Sequence, residues 1–331
     1  MALNVGIIGL KGHQGTITNG MKLIPDARMA AVCDDDEAKL AGVPNYPGAD
    51  GGTLTFTDPI KMLDEVELDI VGVCGTDAER APVIIEAARR GVHVLAEKPL
   101  AMTLQELEQV ESAVAAGGIH LSMLLTMRFE PAYLTMHRMI AEGAVGEVCL
   151  ATMQKSYRLG DRPQWQRNRK TFSGIIPFIG IHALDLIRWT TGREFVRGAA
   201  YCANTGHPQI GELEDNANVA LQLDNGGSAS ARLDYCRPAA APTHGDDRLR
   251  VAGSAGVIES AQHGERVLYI HPEDGETELP LDAKRDQFAD FVGSIRGENA
   301  SWVPAEDCYR MTEVTLKLRD VANTERTADL R

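Results

Sequence analysis

The run Val92-His93-Val94-Leu95-Ala96-Glu97-Lys98-Pro99 sets an acid, a lysine and a proline at the end of an apolar, strand-like stretch. Open α/β sheets deliver ligand contacts just past the carboxyl ends of their strands. Lys98, held there by a following proline, is therefore a candidate for chemistry rather than for solubility. A second candidate opens the chain. An apolar run leads into Gly9-Leu10-Lys11-Gly12-His13-Gln14-Gly15, a G-x-x-G-x-x-G spacing. Glycines are needed where a pyrophosphate approaches backbone N–H groups at a helix N-terminus, whose partial positive charge complements the phosphates. The usual dinucleotide spacing is G-x-G-x-x-G, so this loop reads as carrying one extra residue between its first two glycines. It follows a strand and precedes a helix, the context that phosphate binding requires. Asp34 lies nineteen residues beyond Gly15. An acid near that spacing accepts hydrogen bonds from the adenosine ribose hydroxyls. Asp35, Asp36 and Glu37 follow, and the first cation after them is Lys39. A 2′-phosphate would meet this acidic cluster with no arginine fork to receive it, so NAD is favoured over NADP.

These residues need a parallel sheet to position them, and the first third of the chain reads as one. Apolar runs at 4–9, 29–33, 70–74, 92–96 and 120–125 alternate with helical spacing up to about 23, at 81–90 and at 105–116. Strands separated by helices imply βαβ units. Beyond 125 the character changes. Helical patterns at 131–142 and 182–191 precede strand-like runs from 198 to 270, and two further helices fit 282–296 and 305–322. No helices separate the later strands, which implies a largely antiparallel sheet. The expected fold class is α/β. A Rossmann-type doubly wound parallel sheet over residues 1–123 is followed by an α+β domain with a largely antiparallel open sheet over 124–331, and a chain of 331 residues suits two such domains.

Composition narrows the partners. Hydrophobic residues at 44% and charged residues at 24% fit a soluble globular chain, and the net charge of −14 argues against nucleic acid or an anionic membrane. No apolar stretch approaches the ~18 residues of a transmembrane helix, and the N-terminus does not read as a secretion signal. The six cysteines are scattered singly, without a C-x-x-C pair. That pattern fits reduced thiols in a cytoplasm and argues against a zinc cluster.

Gly9 to Gly15, Asp34 and above all Glu97-Lys98-Pro99-Leu100 resemble the glucose–fructose oxidoreductase / inositol dehydrogenase / MocA (Gfo/Idh/MocA) family. Further matches are Arg128-Phe129-Glu130-Pro131, Gly143-Ala144-Val145-Gly146-Glu147 and His182-Ala183-Leu184-Asp185. The resemblance implies a Rossmann domain joined to an α+β domain whose open sheet often mediates oligomers, here a homodimer or homotetramer. It also implies oxidation of a secondary alcohol of a small sugar, inositol or related polyol with NAD(P). Lys98 is implied beside the nicotinamide and the reacting hydroxyl. An ammonium there hydrogen-bonds the alkoxide that develops as hydride leaves, and partial burial lets it relay a proton. Glu97 is implied near the nicotinamide ribose, and Gly75 and Thr76 in a loop that touches the cofactor. Trp165 matches the family's tryptophan nine residues before its glycine pair, His182 its catalytic histidine and Asp185 the acid that follows.

Several positions depart from the family pattern. The usual catalytic aspartate, four residues before the histidine, is Phe178. Residues four apart share a helical face, so an aspartate there would orient the imidazole; phenylalanine can stack on a ring or wall the pocket. Arg80 stands in place of a histidine, and Gln166 in place of an arginine. Met127-Arg128 retains the arginine of an N-x-R-F motif but not its amide. The stretch 157–170 carries five cations. Its arginine forks suit a carboxylate or phosphate on an anionic substrate, or acidic neighbours in the fold; Tyr157 and Arg162 within it join Arg128, Phe178, His182 and Asp185 as candidate substrate contacts. Thr243 to Arg248 holds one histidine and two acids in a turn, and no metal is expected. The leading expectation is an NAD-dependent dehydrogenase. The alternatives are an NAD-binding sensor without net turnover, and an enzyme that retains NAD for transient oxidation during elimination or glycoside hydrolysis.

Overall fold

The computed structural model describes residues 2–324 and 328–331. The chain packs as two compact units. In the first part of the chain the elements are β1 (Leu3–Ile8), α1 (Gln14–Gly20), β2 (Ala27–Cys33), α2 (Glu37–Leu40), β3 (Leu54–Phe56), α3 (Pro59–Glu65), β4 (Ile70–Val73), α4 (Asp77–Arg89), β5 (His93–Ala96), α5 (Leu104–Gly117) and β6 (Leu121–Met123). There follow α6 (Pro131–Ala141), β7 (Val148–Arg158), α7 (Ile181–Thr191), β8 (Phe195–Ala203), β9 (Asn216–Leu223), β10 (Ser228–Arg237), β11 (Gly245–Gly253), β12 (Val257–Ala261), β13 (Arg266–His271), β14 (Gly275–Leu279), α8 (Gln287–Ile295), α9 (Ala305–Ala322) and β15 (Ala328–Asp329).

The first unit comprises 1–126, 170–172 and 286–312. Its sheet runs β3-β2-β1-β4-β5-β6 with every neighbouring pair parallel. Ile70 to Val73 are all buried, as are Val94 to Ala96. Strands covered on both faces need such continuous apolar runs. The strand order reverses between β1 and β4, so their carboxyl ends open the crevice where α/β sheets bind ligands. Residues 286–312 return to this unit, which differs from the division at 123/124 expected from sequence. The physical reason is apolar: Phe288, Phe291 and Val292 of α8 join Val5, Ile17 and Val32 in one core cluster. Burying each such phenylalanine contributes roughly 1.5–3 kcal/mol.

The second unit comprises 127–169, 173–285 and 313–331. Its sheet runs β14-β13-β12-β11-β7-β10-β9-β8-β15, antiparallel except where β7 meets β10. Burial alternates along β9, with Ala217, Val219, Leu221 and Leu223 inside. One face therefore packs under α6 and α7 while the other stays open. Strand β7 at the centre is absent from the sequence reading. Its inward positions run Ala151, Met153, Lys155, and the lysine interrupts the alternation that marks a half-buried strand.

Candidate active site

Three loops build the crevice of the first unit. The turn after β1 carries Gly9, Lys11, Gly12, His13, Gln14 and Gly15, with α1 starting at Gln14. Gly12 lies against Glu97, and a Cβ there would collide with the Glu97 carboxylate. Only glycine lets the loop approach the end of β5 so closely. Glu97 Oε1 accepts from the His13 backbone N–H and lies 2.7 Å from His13 Nδ1. Burial pushes the Glu97 carboxyl up, but His13, Lys98 and Arg80 outweigh it and hold the group well below the usual carboxylate range. Glu97 is thus a buried anion at neutral pH. Lys98 is buried as well, its Nζ 3.9 Å from Glu97 Oε2. Pro99 follows across a cis peptide bond. Its carbonyl accepts from Arg80 Nη1 at 2.9 Å, while Arg80 Nη2 reaches the Gly75 carbonyl at 3.2 Å and Asp77 at 2.8 Å. Arg80, from sequence only a replaced histidine, ties the loop after β4 to the segment after Lys98.

Beside these loops a cavity of about 450 Å³ is lined by Gly9, Lys11, Asp34, Asp35, Gly75 and Glu79, among others. Asp34 is buried; its Oδ2 accepts from the Leu10 N–H at 2.6 Å and its Oδ1 from the Asp36 N–H at 3.0 Å. Lys11 reaches Asp35 at 2.9 Å and Glu79 at 3.6 Å. Burial works against the Lys11 charge, but Asp35 and Glu79 outweigh it and raise its pKa. Lys39 stands 3.7 Å from Asp34. At the start of α4 the Thr76 N–H donates to Glu79 at 2.8 Å. A cavity of this size at the point where strand order reverses, lined by the glycine turn after β1 and by the acid ending β2, fits a dinucleotide.

The second unit gathers the remaining candidates. His182 is buried near the start of α7, just after a π-helical turn, Ile176–Gly180. Phe178 lies in that turn and meets Trp165 edge to face, with centroids 5.8 Å apart. Asp185, one helical turn beyond His182, grips Arg128 in a two-pronged pair, Nε to Oδ2 at 2.9 Å and Nη2 to Oδ1 at 2.5 Å. Both side chains are buried, and the Arg128 guanidinium lies 5.6 Å from the Trp189 ring centroid. The intrahelical neighbour Arg188 pairs with Glu194. Arg162 donates to the Leu159 and Arg158 carbonyls and sits 4.2 Å over the Tyr235 ring. Arg167 donates to the Arg162 carbonyl, and Arg169 pairs with Glu214. Arg162 and Arg167 thus brace the backbone of their own loop, and Arg169 ties it to Glu214. The Tyr157 hydroxyl donates to Asp247 at 3.0 Å. The acids of 243–248 part company: Asp246 pairs with Arg248 and His263, whereas Asp247 faces Lys155. His207, Asp215 and Cys236 bring ligand-type atoms within 4.8 Å of one another. Asp215 there accepts from the Thr205 and Gly206 N–H groups, which makes it the anchor of that loop.

Residues 3–123 match the oxidoreductase family with an NAD-binding Rossmann fold, and residues 133–259 match the GFO/IDH/MocA C-terminal domain. The chain belongs to the Gfo/Idh/MocA family. It is similar to inositol 2-dehydrogenase 2 of Saccharopolyspora erythraea, 31% identical over 231 residues that cover 68% of this chain and 65% of that one. The match therefore spans just under two thirds of that relative. Myo-inositol 2-dehydrogenase of Thermotoga maritima is 24% identical, with 92% of each chain covered. A solved structure from Thermotoga maritima superposes with a TM-score of 0.92 at 32% identity, covering 98% of this chain and 99% of the other. As in other Gfo/Idh/MocA proteins, the first unit is an NAD-binding Rossmann domain, and its crevice is a nicotinamide-cofactor site. Among the described residues no helix is long and apolar enough to cross a membrane.

Proposed function

We propose that this protein is an NAD-dependent dehydrogenase that oxidises a secondary alcohol of a polyol or sugar-like substrate, or reduces the corresponding ketone. The observation that carries the reading is Lys98, a buried ammonium leaving β5 beside the anionic Glu97, in a family whose first domain binds NAD. Bound NAD supplies the hydride acceptor. Gly9, Gly12 and Gly15 would admit its pyrophosphate, and Asp34 would take its ribose hydroxyls. Lys98 donates a hydrogen bond to the substrate oxygen and stabilises the alkoxide as it forms. The resemblance gives His182 of the second unit as the candidate base. Phe178, packed on Trp165, walls the second unit where an orienting acid is usual. A positioned base contributes about 10²–10⁴-fold, so a histidine without that acid remains useful to turnover.

The similarity to two inositol dehydrogenases supports a polyol substrate. NAD over NADP is supported by Asp34 and Asp35, which a 2′-phosphate would meet directly, and by Lys11 and Lys39, already paired to those acids. Six free cysteines support a reducing, cytoplasmic setting. The open face of the second sheet supports assembly with further copies of the chain. The test is kinetic. Lys98→Met should lower turnover, followed as NADH absorbance, by about 10²–10⁴-fold with only a few-fold change in NAD affinity. Equal loss of both would remove Lys98 from catalysis, and no NADH from wild-type protein with any polyol or aldose would overturn the reading.

A further inference from the structure

Strands β4 and β5 run side by side in register, with Val73 beside Ala96. Their carboxyl ends therefore release two loops next to each other. One carries Gly75 and Thr76 into the start of α4; the other is Glu97-Lys98-Pro99. Arg80, one turn into α4 and 2% exposed, reaches both. Its Nη1 donates to the Pro99 carbonyl at 2.9 Å and its Nη2 to the Gly75 carbonyl at 3.2 Å. The same Nη2 lies 2.8 Å from Asp77 Oδ1. Its charge also acts on Glu97: burial pushes that carboxyl up, and His13, Lys98 and Arg80 together outweigh it.

A buried guanidinium is a poor means of stabilising a fold. Desolvation offsets its Coulombic gain, and apolar residues of similar volume often serve as well or better. What it supplies is geometry. The planar fork presents its N–H donors in fixed directions, so one side chain can hold two backbone carbonyls and an acid at once. The histidine usual at this position has a single N–H donor when neutral and cannot make all three contacts. Both carbonyls border groups of the crevice. Gly75 lines the cofactor cavity, and Pro99 directly follows Lys98. Misplacing a reacting group by about 1 Å costs on the order of 10²-fold in rate.

We propose that Arg80 is a positioning residue for turnover: it fixes the backbone at Gly75 and Pro99 so that Lys98 is held in one orientation beside the cofactor crevice. This rests on the dehydrogenase reading, but Lys98 itself supplies a readout that needs no turnover. The variants are Arg80→Lys, which keeps the charge and loses the fork, and Arg80→Met, which loses both. Circular dichroism and an unfolding midpoint establish which of them fold. With the polyol that wild type oxidises fastest, kcat of each folded variant should fall about 10–100-fold, while KM and NADH affinity stay within about threefold. Placed on Lys98→Met, the same change should cost no further turnover, because Arg80 acts through Lys98. Trace labelling with acetic anhydride, followed by peptide mass spectrometry, reads Lys98 directly. A buried amine reacts through local opening, so Lys98 labelling should rise about fivefold or more in each folded variant. Lys155, buried in the second unit, should keep its wild-type labelling. Wild-type turnover in a folded variant, additive losses with Lys98→Met, unchanged Lys98 labelling, an equal rise at Lys155, or loss of fold in both variants would each overturn the role. NADH absent from wild type, with the Lys98 labelling pattern intact, would sink the dehydrogenase reading and leave the hold of Arg80 on Lys98 standing.

Discussion

Glu97 is an acid kept charged where water scarcely reaches, and that sets a pH dependence for the cofactor loop. Its pKa is lowered in the folded state by His13, Lys98 and Arg80. A group with a depressed folded pKa stabilises the fold fully above its unfolded value of about 4.3, and that contribution is lost as pH falls toward the folded value. Denaturant midpoints of wild type should therefore drop below about pH 4.3, whereas Glu97→Gln should start lower at neutral pH and follow a flatter curve. Parallel curves would remove Glu97 from the loop's electrostatics. The residue scale also separates two catalytic candidates. Lys98 stands in a motif, Glu97-Lys98-Pro99, whose neighbours are all accounted for by contacts in the crevice. His182 stands in a helix whose usual upstream aspartate is Phe178, and the aromatic is committed to Trp165.

At the scale of elements, the pair Arg128–Asp185 fixes the 3-10 turn Thr126–Phe129 to α7. Sequence marks both as candidate substrate contacts; the fold joins them to each other. Removing one member of a buried ion pair strands the other charge and costs about 3–5 kcal/mol. Arg128→Met and Asp185→Leu should each destabilise the second unit by that order, and the double variant should recover most of the loss. Additive effects in that cycle, measured by denaturant unfolding, would mean the pair is not coupled. Strand β7 teaches a related lesson. The central strand of the second sheet escaped the alternation pattern because its inward lysine is paired with an aspartate on the next strand. Strand β3 escaped for another reason: it has three residues, two of them exposed, and so carries almost no periodic signal.

At the scale of the whole molecule, the open face of the second sheet carries Leu150, Thr152, Ala220, Ser230 and Tyr201, with Tyr201 68% exposed. We propose that this face pairs with a second copy. Sedimentation should then show a homodimer or homotetramer, and Leu150→Glu with Tyr201→Glu should yield folded monomers. A wild-type monomer at micromolar concentration would rule this out. The parallel sheet was legible from its first residues because doubly covered strands are apolar without a break, as in Ile70 to Val73. The return of α8 to that sheet was not, because an amphipathic helix shows a face to be buried without saying against what.

The sequence by itself determined the features written into contiguous residues: the glycine loop, the acid ending β2, the Glu97-Lys98-Pro99 turn, and the alternation of strands and helices that orders them. Only the tertiary structure decided which charges meet. His13 and Glu97 are 84 residues apart, Arg128 and Asp185 57, Lys155 and Asp247 92. Hydrophobic periodicity records which way a side chain faces. The partner of a buried charge is set by packing, because a charge shielded from water is tolerated only where the fold brings its counter-charge within reach.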